Sequence, residues 1–334
     1  MMRLRDPQPR PYHRAMDTYR IRTDLQRAMV GTYALPLGLE PVSLPEPTQG
    51  YVVNMNIAEG EEPDTYAFHV VVSHDRLKPL IQDAFDLMPE LVMPIVEVGS
   101  RDAYRNLDVY LGGKELPFDE FEAVWKEYEP IIYEDASIGV GCNAEEPFVE
   151  VFLDSWKGLC ITVPVSMRRQ VQRLLHKHGL REVQETWPES LDRLAEPPTK
   201  PREVLALDDL KCPDLDDILM QLRDALDLEL NIDPGANLDE AGRELGMTLW
   251  FATVLAGRVG HRDKGAYVSI WATASSMTEL EDLAVREVEK LQGYTFDGFY
   301  TCDRVAYDDR PDELGDLPPR RLIAQVHQTS VDEW

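Results

Sequence analysis

Ala67-Phe68-His69-Val70-Val71-Val72-Ser73 is the stretch on which the fold turns: an apolar strand ends in a serine, and an amphipathic helix follows at once. Leu77, Leu80, Ile81, Ala84, Phe85 and Met88 fall at the i, i+3, i+4, i+7 spacing that puts one helix face in a core. The same order recurs at Leu159–Val165 with Ser166, where Met167, Val171, Leu174, Leu175 and His178 form the stripe and Gly179 is a stop signal. A third unit is Tyr267–Thr273 with Ser275 and Ser276, followed by Leu280, Leu283, Ala284, Val288 and Leu291. Ser276 and Glu279 stand three apart, the spacing of a capping box. Strands joined to helices by such short connections predict an α+β fold in two domains. Each is a mixed, mostly antiparallel sheet with helices on one face, ferredoxin-like in layout. The recurrence points to internal duplication.

Around these units, strands are predicted at Tyr51–Ile57, Leu91–Val98, Leu107–Leu111, Phe148–Leu153, Val204–Leu207, Met247–Leu255, Phe299–Ala306 and Leu322–His327, with a short one from Val183. Phe118, Phe121, Trp125 and Tyr128 predict a short helix over Phe118–Tyr128, and Leu215, Ile218, Leu219, Leu222, Ala225 and Leu226 another over Asp214–Asp227. Residues 1–48 hold seven prolines and read as an extended arm, with helical spacing only near Tyr19–Met29. Pro188, Pro197, Pro198 and Pro201 break any periodic pattern, because proline cannot donate to a ladder and biases its predecessor away from helix. The expected organisation is an arm over 1–48, a first domain over 49–186, a linker over 187–202 and a second domain over 203–334.

The net charge is −27, yet residues 1–31 carry Arg3, Arg5, Arg10, Arg14, Arg20, Arg22 and Arg27 against three aspartates, a net of +4 that leaves −31 for the rest. A body this acidic repels phosphate backbones, so no nucleic-acid binding is expected through it. Its expected partner is a protein with a basic surface, or a second copy of the chain. The arginine arm is expected to fold onto the acidic surface. No apolar run approaches a membrane span, and none follows the charged N-terminus as in a secretory signal. Cys142, Cys160, Cys212 and Cys302 stand far apart with no CxxC pair, which fits reduced thiols in the cytoplasm.

No motif spells a reaction. Ser73-His74-Asp75 has triad chemistry but adjacent side chains diverge, so Ser73 reads as a helix N-cap with Asp75 in the first turn. His176 and His178 sit on opposite sides of a helix, and no metal or cofactor is expected. Asn231, Asp233, Asn237, Asp239 and Glu240 alternate like a calcium loop, but the proline after Asp233 favours a turn followed by a helix start. Strand-borne carboxylates at Glu97, Asp108, Glu150 and Asp154 are the candidates for acid–base chemistry. Trp250, Trp271 and Phe299 are candidate interaction residues, since aromatic sheet faces seldom stay solvated. Trp250 and Phe251 must point to opposite sides of their strand.

The segment Tyr267–Phe299, with its strand, the Ser276-Met-Thr-Glu-Leu-Glu-Asp helix and the Gly293-Tyr294-Thr-Phe-Asp-Gly298-Phe299 tail, resembles the regulator-of-ribonuclease-activity-B family. The resemblance covers about a tenth of the chain. It implies an acidic α+β protein that binds and inhibits a nuclease, and it carries over no site residue. The leading expectation is a non-enzymatic interaction or regulatory protein. The alternatives are an enzyme using the strand-borne carboxylates, or a homodimer paired through aromatic sheet faces.

Overall fold

The computed structural model describes residues 19–58, 63–186, 198–207, 212–261, 264–315 and 323–334. Arg3, Arg5, Arg10 and Arg14 of the arm and residues 187–197 of the linker lie outside them. An N-terminal strap carries β1 (Met29–Val30), β2 (Tyr33–Ala34) and β3 (Leu39–Pro41). A large sheet then builds from β4 (Gly50–Asn56), β5 (Thr65–Val71), β6 (Leu91–Gly99), β7 (Leu107–Gly112) and β8 (Leu116–Pro117). It continues with β9 (Ile138–Glu145), β10 (Phe148–Leu153) and β11 (Leu159–Pro164). After β12 (Thr199–Pro201), which pairs with β3, it closes with β13 (Leu228–Leu230). The spatial order is β13-β7-β6-β9-β10-β11-β5-β4, antiparallel throughout, with β8 on the end of β6.

The helices α1 (Leu77–Phe85), α2 (Phe118–Glu134), α3 (Arg168–Lys177) and α4 (Leu215–Leu226) all press on one face of this sheet. Leu80, Trp125, Leu175 and Leu222 meet Phe68, Val96, Val151 and Ile161 in a single core, each such burial worth about 1.5–3 kcal/mol. Strand side chains alternate, so every second one points to the opposite face, on which no helix among the described residues packs.

Several elements differ from expectation. α2 runs on past Tyr128 to Glu134 with Pro130 inside it. Burial of Ile131, Ile132 and Tyr133 offsets the proline, which alone costs about 3 kcal/mol. Strand β9 was masked in the sequence by Gly139, Gly141 and Asn143, which dilute its alternation. Val183 and Leu205 join no strand: the Val183 N–H donates to Tyr51 O beside a lone bridge at Glu182, Leu205 makes a single bridge to Ile21, and no helix forms over Tyr19–Met29. The stretch after the proline-rich break also packs against expectation. Leu205, Ile218, Leu226 and Leu228 belong to the first core, and β13 pairs with β7. An apolar stripe buries where a sheet edge is free, whatever loop precedes it.

A second sheet follows: β14 (Thr248–Arg258), β15 (Gly265–Ala274), helix α5 (Met277–Glu289), β16 (Tyr294–Val305) and β17 (Gln325–Glu333). Its order is β16-β14-β15-β17, again antiparallel. Ala252, Ala256, Ala272 and Ala274 keep one face low enough for α5 to lie close, with Leu280, Ala284 and Val288 filling a separate core.

The two sheets are joined through a buried ion pair. The Asp102 carboxylate, on the β6–β7 loop, accepts from Arg304 Nε at 2.8 Å and from the Arg304 backbone N–H at 2.9 Å, and neither side chain is more than 4% exposed. Arg304 Nη1 donates to Asn237 Oδ1 at 2.9 Å and to Leu238 O at 2.7 Å, while the Ala103 N–H donates to Arg304 O. A second tie is Tyr300 Oη, which donates to Asp217 Oδ1 on α4 at 2.9 Å.

The strap is held by charge and packing. Arg27 forks onto Glu134 at 2.5 and 3.0 Å, and the Leu37 N–H donates to the same carboxylate at 2.8 Å. Tyr33, Leu35, Leu39 and Leu44 pack on Val71 and Trp156. No helix among the described residues is long and apolar enough to cross a membrane.

Candidate functional site

The helix-free face of the large sheet gathers the ionisable groups. On β10, Val149, Val151 and Leu153 point into the core, so Glu150 and Phe152 point the other way. Register then lines up their neighbours. Glu150 stands opposite Asn143 on β9 and Thr162 on β11, and Phe152 opposite Gly141 and Cys160. Cys160 stands opposite His69 on β5, and Glu97 on β6 opposite Gly139. The two glycines have a steric cause. A Cβ at Gly139 would lie 2.8 Å from Phe152 Cζ, and one at Gly141 would lie 2.3 Å from Val151 O and 2.8 Å from Phe152 Cδ2. The phenyl ring thus lies across β9 as the floor of the face. Asp154, just past β10, completes the set and caps its own turn by accepting from the Gly158 N–H at 2.8 Å.

Glu97, Glu150, His69 and Cys160 are half-buried, while Phe152 and Thr162 are buried. Burial raises the Glu97 carboxyl above its ordinary value, and repulsion from Asp154 and Glu150 adds to it. Glu150 is raised by burial against a weak opposing bond from Thr162, and Asp154 is raised by burial against its backbone donors. The Cys160 thiol is pushed up to about 12 by burial and then by Glu150, so it is no thiolate. Among the described residues no cation pairs with Glu97 or Glu150. Lys157 lies in the neighbouring loop, but its buried ammonium donates to Ile138 O at 2.7 Å. The strap walls this end of the face at Val71 and Trp156. The result is a half-buried anionic floor suited to a cationic group.

Three of the four strand-borne carboxylates are therefore brought together. Asp108 is not: it alternates to the helix side and pairs with Arg105 Nε at 2.5 Å. Of the aromatic candidates, Trp250 is corrected. It is 3% exposed, packs in the second core and donates its indole N–H to Ala274 O at 3.1 Å. Phe299 also faces that core, edge-on to Phe296 at 5.7 Å, because a bulge in β16 pairs it with Val254. Trp271 packs at a 35° tilt against Phe251, ring centroids 4.6 Å apart, on the face away from α5, and both remain half-buried.

Ser73 makes no side-chain cap. Its hydroxyl accepts from the Ala34 N–H of the strap at 2.9 Å and donates to Asp75. His74 turns away to Tyr133 O and Glu134, so the three residues form no relay. The stretch 231–246 has turns but no helix start, and Asn237 serves as the buried partner of Arg304. Among the described residues no group of three or more His, Cys, Asp or Glu is arranged to hold a metal ion. Thr162 and Cys160 were not among the expected site residues, although the alternation of β11 puts both on one face, Thr162 opposite Glu150 and Cys160 opposite Phe152.

No protein-family model matches the chain, and neither the curated proteins nor the solved structures compared with it give a match.

Proposed function

We propose that this chain is a cytoplasmic, non-enzymatic interaction module of two α+β domains, ferredoxin-like in layout and derived by duplication, that receives a basic segment of a partner protein on the helix-free face of its large sheet. One observation carries the reading: Glu97, Glu150 and Asp154 share that face, all with raised pKa and with no described cation beside Glu97 or Glu150. A lysine or arginine brought there relieves both the burial of the carboxylates and their mutual repulsion. The resemblance of Tyr267–Phe299 to a nuclease-binding family supports a role in protein contacts, and the four free cysteines support a reducing compartment.

The test is fluorescence anisotropy with a lysine- and arginine-rich peptide and an acidic peptide of equal length, at about 0.05 and about 0.5 M salt. The basic peptide should bind, lose affinity with salt, and lose about tenfold or more with Glu97→Gln/Glu150→Gln. Equal binding of both peptides, or binding indifferent to the double substitution, refutes the reading.

The raised carboxyls also favour a second reading, an acid–base enzyme with Glu150 as proton donor. Turnover of model esters, glycosides or phosphoesters that disappears in Glu150→Gln would establish it in place of the first.

A further inference from the structure

We propose that the outer edge of β17 pairs with the β17 of a second copy of the chain, joining two four-stranded sheets into one. The other sheet ends are short or already engaged. β13 has three residues. On β4 the Tyr51 N–H donates to Arg181 O, and its carbonyl accepts from the Val183 N–H. On β16 the Arg304 N–H donates to Asp102, and its carbonyl accepts from the Ala103 N–H. β17 differs. The Trp334 N–H donates to Gly265 O at 3.0 Å, and antiparallel pairs alternate, so Asp332, Ser330 and Gln328 turn their backbone groups to β15. Thr329, Val331 and Glu333 turn theirs outward, and no bond among the described residues reaches them. The usual protections of an edge are missing here. Gln328–Trp334 contains no lysine or proline, and the bulge in the β15–β17 pairing, at Trp271/Ala272, lies on the N-terminal side of Gln328.

Symmetry selects the occupant and the register. The outward residues are centred on Val331, so a two-fold axis there sets Val331 against its copy and Thr329 against Glu333. Every outward N–H and C=O then gains a partner. The same register sets Ser330 against Asp332 and Gln328 against Trp334. Each acid of the strand faces a hydroxyl, and no acid faces an acid. Glu287, to which Thr329 Oγ1 donates at 3.5 Å, is neutralised by Lys290. Val331, 42% exposed on the single chain, covers its apolar surface on its copy. One pair of short strands is a small interface, below about 1,200 Å² in total, so the dimer is weak and reversible. Each copy carries a net charge of −27, and salt screens their repulsion without weakening backbone bonds. Affinity therefore rises with salt, the reverse of a basic segment held on the large sheet. The pairing stands independently of that face.

The test is sedimentation velocity of the full chain from about 5 to about 500 µM, at about 0.05 and about 0.5 M salt. Expected is a monomer–dimer equilibrium with a Kd between about 1 µM and about 1 mM that tightens at the higher salt. Val331→Pro removes an outward N–H and no bond to β15, a change edge strands tolerate, and should weaken the dimer by about tenfold or more. Val331→Lys sets like charges face to face across the axis and should weaken it as much, although it lowers the net charge. It serves if the proline variant misfolds by circular dichroism. A chain that stays monomeric throughout, a dimer that loosens with salt, or a folded Val331 variant that associates like the parent overturns the proposal.

Discussion

Asp303 stands opposite Phe251 on the second sheet and carries a strongly shifted carboxyl. Burial pushes its carboxyl up to about 6 and Asp108 adds to the shift, while Arg101 pulls it down. An unfolded aspartate ionises near 3.8. Below that pH the group is neutral in both states. Between about 4 and 6 the unfolded chain ionises first, so stability falls as pH rises, and the full penalty remains above about 6. Asp303→Asn should therefore stabilise the protein at pH 7 by roughly 1–2 kcal/mol, allowing for solvent screening, and flatten that fall. Urea unfolding at several pH values checks it, and an Asn variant less stable at neutral pH contradicts it. Lys157 runs the other way. Burial lowers its ammonium to about 8, so stability should rise from pH 8 towards 10.5, and Lys157→Met should abolish the rise. Neither shift was legible in the sequence, because burial is a property of what packs around a residue.

At the level of elements, local chemistry read from spacing was right only in part: Ser73 makes no side-chain cap. Ser276 does accept from the Glu279 N–H, at 3.2 Å, yet Glu279 turns its carboxylate to Ser275 and leaves the box half made. The reciprocal box is at α4, where Asp214 accepts from the Asp217 N–H at 2.9 Å and Asp217 accepts from the Asp214 N–H at 3.2 Å. Asp214→Ala should cost about 1 kcal/mol by denaturant titration, a loss no solvated carboxylate would produce. Strand β9 is bound more tightly to its neighbour. A methyl at Gly141 meets backbone, at 2.3 Å from Val151 O and 2.6 Å from Phe152 Cα, so Gly141→Ala should lower stability by about 1–3 kcal/mol. An unchanged unfolding midpoint would show that Phe152 does not need the bare backbone of β9.

Across the whole molecule, the Asp102–Arg304 pair decides how the second sheet is seated. Removing one partner leaves a charge buried alone, so Asp102→Asn should destabilise by about 3–5 kcal/mol. Replacing both, as in Asp102→Leu/Arg304→Met, should recover much of that loss, and a double-mutant cycle that came out additive would refute the coupling. The chain's own pattern settled what depends on near neighbours: α+β class, antiparallel strands, the helix stripes, and the helix that follows each strand–serine turn. Periodicity carries that information because a residue's face follows from its position within one element. It could not carry strand order, the seating of α4 and β13 on the first sheet, or the meeting of Glu97 with Glu150 and Asp154 on one face. Those juxtapositions join residues dozens of positions apart, and only packing, which closes such loops against their entropy, brings them together.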